Sequence, residues 1–185
     1  METSHYLSTI LEELNHSAQY ITDADAEGLV KAIRSSKKVF VAGAGRSGFM
    51  GKSFAMRMMH MGIDSYVVGE TVTANITEDD LLIIASGSGE TKSLVSMAEK
   101  AKSYGAQLAI VTISPESTIG KLADIVVKMP GSPKDQETSN YQTLQPMASL
   151  FEQTLLLFFD AIILRYMELE GLNSKSMFSR HANLE

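Results

Sequence analysis

Five short apolar runs constrain this chain more than any other feature: Val39–Ala42, Tyr66–Val68, Leu81–Ala85, Leu108–Val111 and Ile125–Val127. None alternates apolar with polar residues. Strands that read this way are buried on both faces, as in a parallel sheet covered by helices. The intervening segments have helical spacing. Phe49, Met50, Phe54, Met58 and Met61 fall within residues 47–61, and Leu94, Met97, Ala98 and Ala101 within 91–104. Strand alternating with helix predicts an α/β fold with parallel crossovers.

Helices are also expected at both ends. Leu7, Ile10, Leu11, Leu14, Ala18 and Ile21 recur at gaps of three and four, one face of a helix. Asp23 or Asp25 is placed to cap a second helix carrying Leu29, Val30 and Ile33. Pro115 to Ala123 reads as a turn or short helix, and a Leu- and Phe-rich helix runs from about Met147 to Leu169. Pro130 to Pro146 is a polar loop of unusual length, a kind that tends to be functional. The simplest partition is one domain over 1–185, with helices in 1–36 and a helix and tail in 147–185 packing on its core. The end helices carry more apolar surface than one small sheet needs, so burial against neighbouring subunits is expected.

A net charge of −6 argues against a nucleic-acid partner, which calls for a basic face. It leaves room for a small anion, because backbone N–H groups hold phosphate inside acidic proteins. The chain has no cysteine, which excludes disulfides and thiol catalysis. METSHYLSTILEEL lacks the basic start and apolar core of a signal peptide. LLLFFDAIIL is interrupted by Asp160 and too short to span a bilayer. The expectation is a cytoplasmic protein without a membrane partner.

Ligands of parallel α/β sheets sit beyond the carboxyl ends of the strands, and two special loops follow strands here. Gly43-Ala44-Gly45-Arg46-Ser47-Gly48 fits G-x-G-x-x-G, the dinucleotide fingerprint when an acid follows the second strand. Asp64 and Glu70 fit that acid only loosely, and the alternative is that the glycines serve helix–strand packing. Ser86-Gly87-Ser88-Gly89-Glu90-Thr91 is more informative. Its glycines let several N–H groups turn toward one anion. Its hydroxyls rotate to suit phosphate oxygens, and a helix start adds its dipole. It lacks the lysine of a nucleoside-triphosphate loop. The plainer alternative is an ordinary strand-to-helix turn capped by Thr91.

GAGRSG, SGSGET, MPGSPKDQ and QPMASLFEQTLLLFFD together resemble the sugar-isomerase (SIS) family and, within it, the 6-phospho-3-hexuloisomerases. The likeness runs through the terminal HANLE. It implies a three-layer α-β-α sandwich on a five-stranded parallel sheet, flavodoxin-like, in a homotetramer. It implies interconversion of 3-hexulose 6-phosphate and fructose 6-phosphate in the ribulose monophosphate pathway, beside the synthase that makes the substrate. No metal or redox cofactor is implied. The family's substrate positions fall on Ser47, Ser86, Gly87, Ser88, Gly89, Glu90 and Thr91, and its base on Glu152. A non-catalytic sugar-phosphate sensor, another SIS sugar-phosphate isomerase and an NAD-linked oxidoreductase are the competing readings.

Moving a carbonyl from C3 to C2 requires a base for the C2 proton and donors for the enediolate oxygen. Glu152 starts an otherwise apolar helix, where a carboxylate is either a solvated first-turn acid or a buried functional group. Arg46 is a candidate oxyanion donor, the alternative being a surface ion pair. His181 lies near the tail. A solvated role is ordinary there, and the resemblance adds that of an acid–base group reaching a neighbouring subunit's site. His60 is expected to offset a helix C-terminus before Gly62, and His5 and His16 to be solvated. MRMMHM reads as packing. Glu12, Glu13, Asp79 and Asp80 read as solvated or capping groups.

Overall fold

The computed structural model describes residues 2–131 and 143–184. Most of the long polar loop, 132–142, lies outside them. Five strands, β1 (Val39–Gly43), β2 (Ser65–Val67), β3 (Leu81–Ala85), β4 (Gln107–Thr112) and β5 (Ile125–Lys128), form one sheet in the order β2-β1-β3-β4-β5. All neighbouring pairs are parallel. The strand order reverses between β1 and β3, the switch point at which such sheets open a ligand crevice.

The continuous apolar runs are explained by cover on both faces. Val39, Val41, Leu81, Ile83, Ala109 and Val111 face a cluster built with α2 (Asp23–Ser35), α3 (Gly45–Met61) and α6 (Ser149–Glu170). Phe40, Ala42, Leu82, Ile84, Leu108 and Ile110 face α4 (Lys92–Ser103) and the short α5 (Thr118–Leu122). Each buried Leu or Ile contributes about 1.5–3 kcal/mol. The helix α1 (Thr3–Ala18) lies outside this sandwich against α6, and α7 (Ser174–Phe178) packs on α3.

Two acids read as solvated or capping groups are structural. Asp80 is 1% exposed. Its carboxylate accepts bonds from Thr77 N–H at 2.7 Å, Thr77 Oγ1 at 2.8 Å and Lys38 N–H at 3.1 Å, and pairs with Lys38 Nζ at 3.3 Å. Burial pushes its pKa up, but the Thr77 and Lys38 donors and the Lys38 charge prevail and hold it below the usual aspartate range. Glu13 bonds to residues 143–145, as described below. The expected helix caps also shift by a residue. Thr22 caps α2 by accepting from Asp25 N–H, leaving Asp23 and Asp25 in the first turn. His60 is not a solvated cation at the end of α3. It is buried, and burial together with the charges of Arg57 and His181 lowers its pKa. Gly62, at φ 90°, closes that helix instead.

Candidate active site

The loops after β1 and β3 face each other across the switch point. Between them lies a cavity of about 280 Å³ lined by Ala44, Gly45, Ser47, Ser86, Gly87, Ser88, Thr91, Ala148 and Phe151, among others. Three helices begin at its wall. Ala44, Thr91 and Ala148 are the N-cap residues of α3, α4 and α6, and none makes a side-chain cap bond. Of the helix starts away from the cavity, Thr22, Ser117 and Asn173 before α2, α5 and α7 accept bonds from their helices, and Glu2 before α1 does not. The first N–H groups of a helix have no intrahelical partner. Here, three sets of them, with the positive ends of three dipoles, border one cavity.

The Ser86–Thr91 loop is held rigidly from behind. Ser86 N–H donates to Val111 O and Ile113 N–H to Gly87 O, continuing the β3–β4 pairing past the strand ends. Ser86 Oγ accepts from Gly89 N–H at 3.1 Å. Gly89 has φ 63°, and a Cβ there would collide with Ser117, so the position demands glycine. Its carbonyl accepts from Ile119 N–H. Glu90 is turned away from the cavity. Its carboxylate accepts Thr118 N–H at 2.7 Å, and that bond holds its pKa below the ordinary value. Glu90 therefore serves the loop's shape, and its charge is spent on α5 rather than set beside an anion. Thr91 borders the cavity, but its hydroxyl does not cap α4.

Gly43 and Gly48 are accounted for by packing. A Cβ on Gly48 would lie 2.6 Å from Gly43 O, and one on Gly43 would lie 2.8 Å from Gly48 Cα. The strand and helix approach too closely for any side chain. Nor is an acid placed to read a ribose. Asp64 precedes β2, and Glu70 pairs with Lys52 at 2.6 Å.

Glu152 lies one turn beyond Ala148 on the same face of α6, and it is 8% exposed. Arg46 Nη1 donates to Glu152 Oε2 at 3.0 Å and to Ser149 Oγ at 2.9 Å. A buried carboxylate needs a partner, and Arg46 supplies it from between the cavity-lining Gly45 and Ser47. Arg46 thus meets the carboxylate rather than standing free as an oxyanion donor. Ser149, Ala148, Phe151 and Ile113 belong to the site but were not singled out in the sequence. Of these only the run of small residues ahead of FEQ gave any local sign.

His181 is elsewhere. It stacks on His60 with ring centroids 5.3 Å apart. His60 ends α3 and Gly45 begins it, and that helix is about 25 Å long at ~1.5 Å per residue. The structure does not bring His181 to the cavity of its own chain. Among the described residues no three His, Asp or Glu side chains gather as metal ligands, and no helix is long and apolar enough to cross a membrane.

Residues 32–159 match the SIS domain family. The chain belongs to the SIS domain family. Full-length relatives place its SIS domain more narrowly. It is 58% identical over 185 residues, all of both chains, to 3-hexulose-6-phosphate isomerase of Bacillus subtilis (strain 168). It is 38% identical over 184 residues to 3-hexulose-6-phosphate isomerase of Mycobacterium gastri, covering all of this chain and 92% of that one. The crystal structure of protein MJ1247 from Methanococcus jannaschii, inferred to be a 3-hexulose-6-phosphate isomerase, superimposes with a TM-score of 0.84. It is 32% identical, with 98% of this chain and 99% of that one covered. The helix-flanked parallel sheet predicted from the apolar runs is thus the SIS fold.

Proposed function

We propose that the protein interconverts D-arabino-3-hexulose 6-phosphate and fructose 6-phosphate, the isomerase step of the ribulose monophosphate pathway. The observation that carries this reading is the meeting of three helix N-termini without side-chain caps at one cavity, beside a buried, arginine-paired carboxylate. The full-length likeness to enzymes of that name selects the substrate.

In this scheme the phosphate is held by the N–H groups and hydroxyls of Ser86, Gly87, Ser88 and Thr91 at the start of α4. Glu152 takes the proton from C2 of the 3-hexulose, and the electron pair forms the C2–C3 double bond while O3 takes up negative charge. The N–H groups of the first turn of α3, with the Ser47 hydroxyl, stabilise that enediolate. Glu152 returns the proton to C3, and the O2 hydroxyl loses its proton to O3 as the carbonyl forms at C2. No atom is gained or lost.

His181 enters the scheme only from a second subunit. Exposed apolar residues at matching helical positions, Leu7 and Leu11 on α1 and Leu157 and Leu164 on α6, support a homo-oligomer that buries these faces, and a homotetramer is the arrangement proposed. The compartment proposed is the cytoplasm, beside the synthase that supplies the 3-hexulose phosphate.

The test is direct. Purified protein given the 3-hexulose 6-phosphate should form fructose 6-phosphate, and little should happen with aldose phosphates. Tight sugar-phosphate binding without any turnover would make the protein a sensor instead.

A further inference from the structure

Residues 143–148 form a strap that delivers the first turn of α6 to the cavity, and one carboxylate of α1 ties it down. Glu13 Oε2 accepts from Thr143 Oγ1 at 2.7 Å and from Gln145 Nε2 at 2.9 Å, and Glu13 Oε1 accepts from Leu144 N–H at 2.7 Å. Three consecutive residues thus converge on one side chain that lies 130 residues earlier than Thr143. Thr143 Oγ1 in turn accepts from Gln145 N–H at 3.0 Å, closing the turn on itself. Gln145 is 5% exposed.

The strap then passes through an unfavourable backbone state. Among the described residues Met147 is the one non-glycine with positive φ, at 60°. Such a residue costs about 1–3 kcal/mol and persists only where its surroundings over-determine it. Met147 is 59% exposed, so its own side-chain packing does not impose the conformation. Directly after it comes Ala148, which lines the cavity, and Glu152 N–H donates to Ala148 O at 3.0 Å. Ser149 N–H donates to Pro146 O at 3.1 Å. The set of the strap therefore fixes where α6 begins and how its first turn is rotated.

We infer that Glu13 is a positioning residue for the isomerisation, holding the 143–148 strap so that Glu152 meets the substrate carbons at working distance. The inference rests on the proposed role of Glu152. Burial works against the Glu13 charge, but the Thr143, Leu144 and Gln145 donors outweigh it and keep its pKa below the ordinary value. Glu13 is thus ionised, with full acceptor strength, at neutral pH. Neither Glu13 nor the strap residues 143–147 border the phosphate loop, which is anchored by β4 and α5. Losing Glu13 should therefore disturb chemistry more than binding.

The experiment compares wild type, Glu13→Ala, the milder Glu13→Gln and a control, Glu12→Ala, on the neighbouring exposed acid. Glu13→Ala is expected to lower kcat about ten- to a hundredfold, as small misplacements of a reacting group do, with KM changed less than about threefold. Glu13→Gln should fall between it and wild type, and Glu12→Ala should match wild type. Backbone hydrogen exchange at Ser149 and Glu152 should quicken about tenfold or more in Glu13→Ala, since their acceptors, Pro146 O and Ala148 O, lie on the strap. That readout does not need turnover. If Glu13→Ala fails to fold, the Glu13→Gln values decide by the same criteria. Wild-type kcat, equal losses in kcat and binding, or unchanged exchange at 149 and 152 would overturn the inference. An inactive wild type with quickened exchange in the variant would instead overturn the proposed reaction and leave the strap's mechanical role standing.

Discussion

Arg46 and Glu152 lie 106 residues apart in the chain and meet at 3.0 Å. A carboxylate at 8% exposure without a charged partner would be unfavourable. The half-exposed guanidinium is partly screened, so its worth lies in orientation more than in stability. Arg46→Ala is accordingly expected to lower kcat about tenfold or more, with a small change in melting temperature, measured by steady-state kinetics and thermal unfolding. Asp80 presents the opposite case: it is at the far end of β3 and acts on stability alone. Its folded pKa lies below the usual aspartate value near ~3.9, so the unfolded chain binds its proton more readily. The stabilisation is present above that value and is lost as pH falls through the lower folded one. Asp80→Asn should cost about 2–3 kcal/mol at neutral pH by urea unfolding, flatten the acid-side loss, and leave kcat unchanged. Both charged residues were visible in the sequence, but their partners were not. Arg46 was read as an oxyanion donor or a surface ion pair, and Asp80 as a solvated or capping group, because contacts across 106 and 42 residues are made by packing, which no local spacing reports.

Local rules served better for whole elements. All five strands and the helices that flank them were legible, because burial on both faces leaves an unbroken apolar run and helix faces recur at three and four. The short α7 was missed, since five residues carry no periodicity and its Asn173 capping box lies outside any apolar pattern. Caps were the subtler matter. Thr91 was weighed as an ordinary cap, yet its hydroxyl leaves α4 uncapped while Ser117 caps α5 by accepting from Gly120 N–H at 3.2 Å. The two hydroxyls should therefore respond oppositely to removal. Thr91→Ala is expected to leave unfolding free energy within ~0.5 kcal/mol and weaken sugar-phosphate binding about tenfold. Ser117→Ala should cost about 1 kcal/mol of stability. Calorimetric titration with fructose 6-phosphate and denaturant melts distinguish these outcomes.

For the whole molecule, the sequence already showed an excess of apolar surface on its end helices, and the fold leaves that surface uncovered. Leu157 and Leu164 are 53% and 66% exposed on α6, and Leu11 is 59% exposed on α1. In the proposed homo-oligomer, Leu164→Glu should reduce the assembled mass toward the 20.2 kDa of one chain in light scattering. It should also lower activity if a neighbour's His181 completes the site. What covers these faces was not legible from the sequence, because apolar spacing marks a face without naming its occupant. The proposed reaction turns on one proton and one side chain. Its most direct test is Glu152→Gln, assayed for turnover of 3-hexulose 6-phosphate and for affinity toward fructose 6-phosphate. The expected kcat is lower by about 10²–10⁴, as for loss of a general base, with Kd changed by no more than a few-fold. Near-normal turnover by the variant would contradict it.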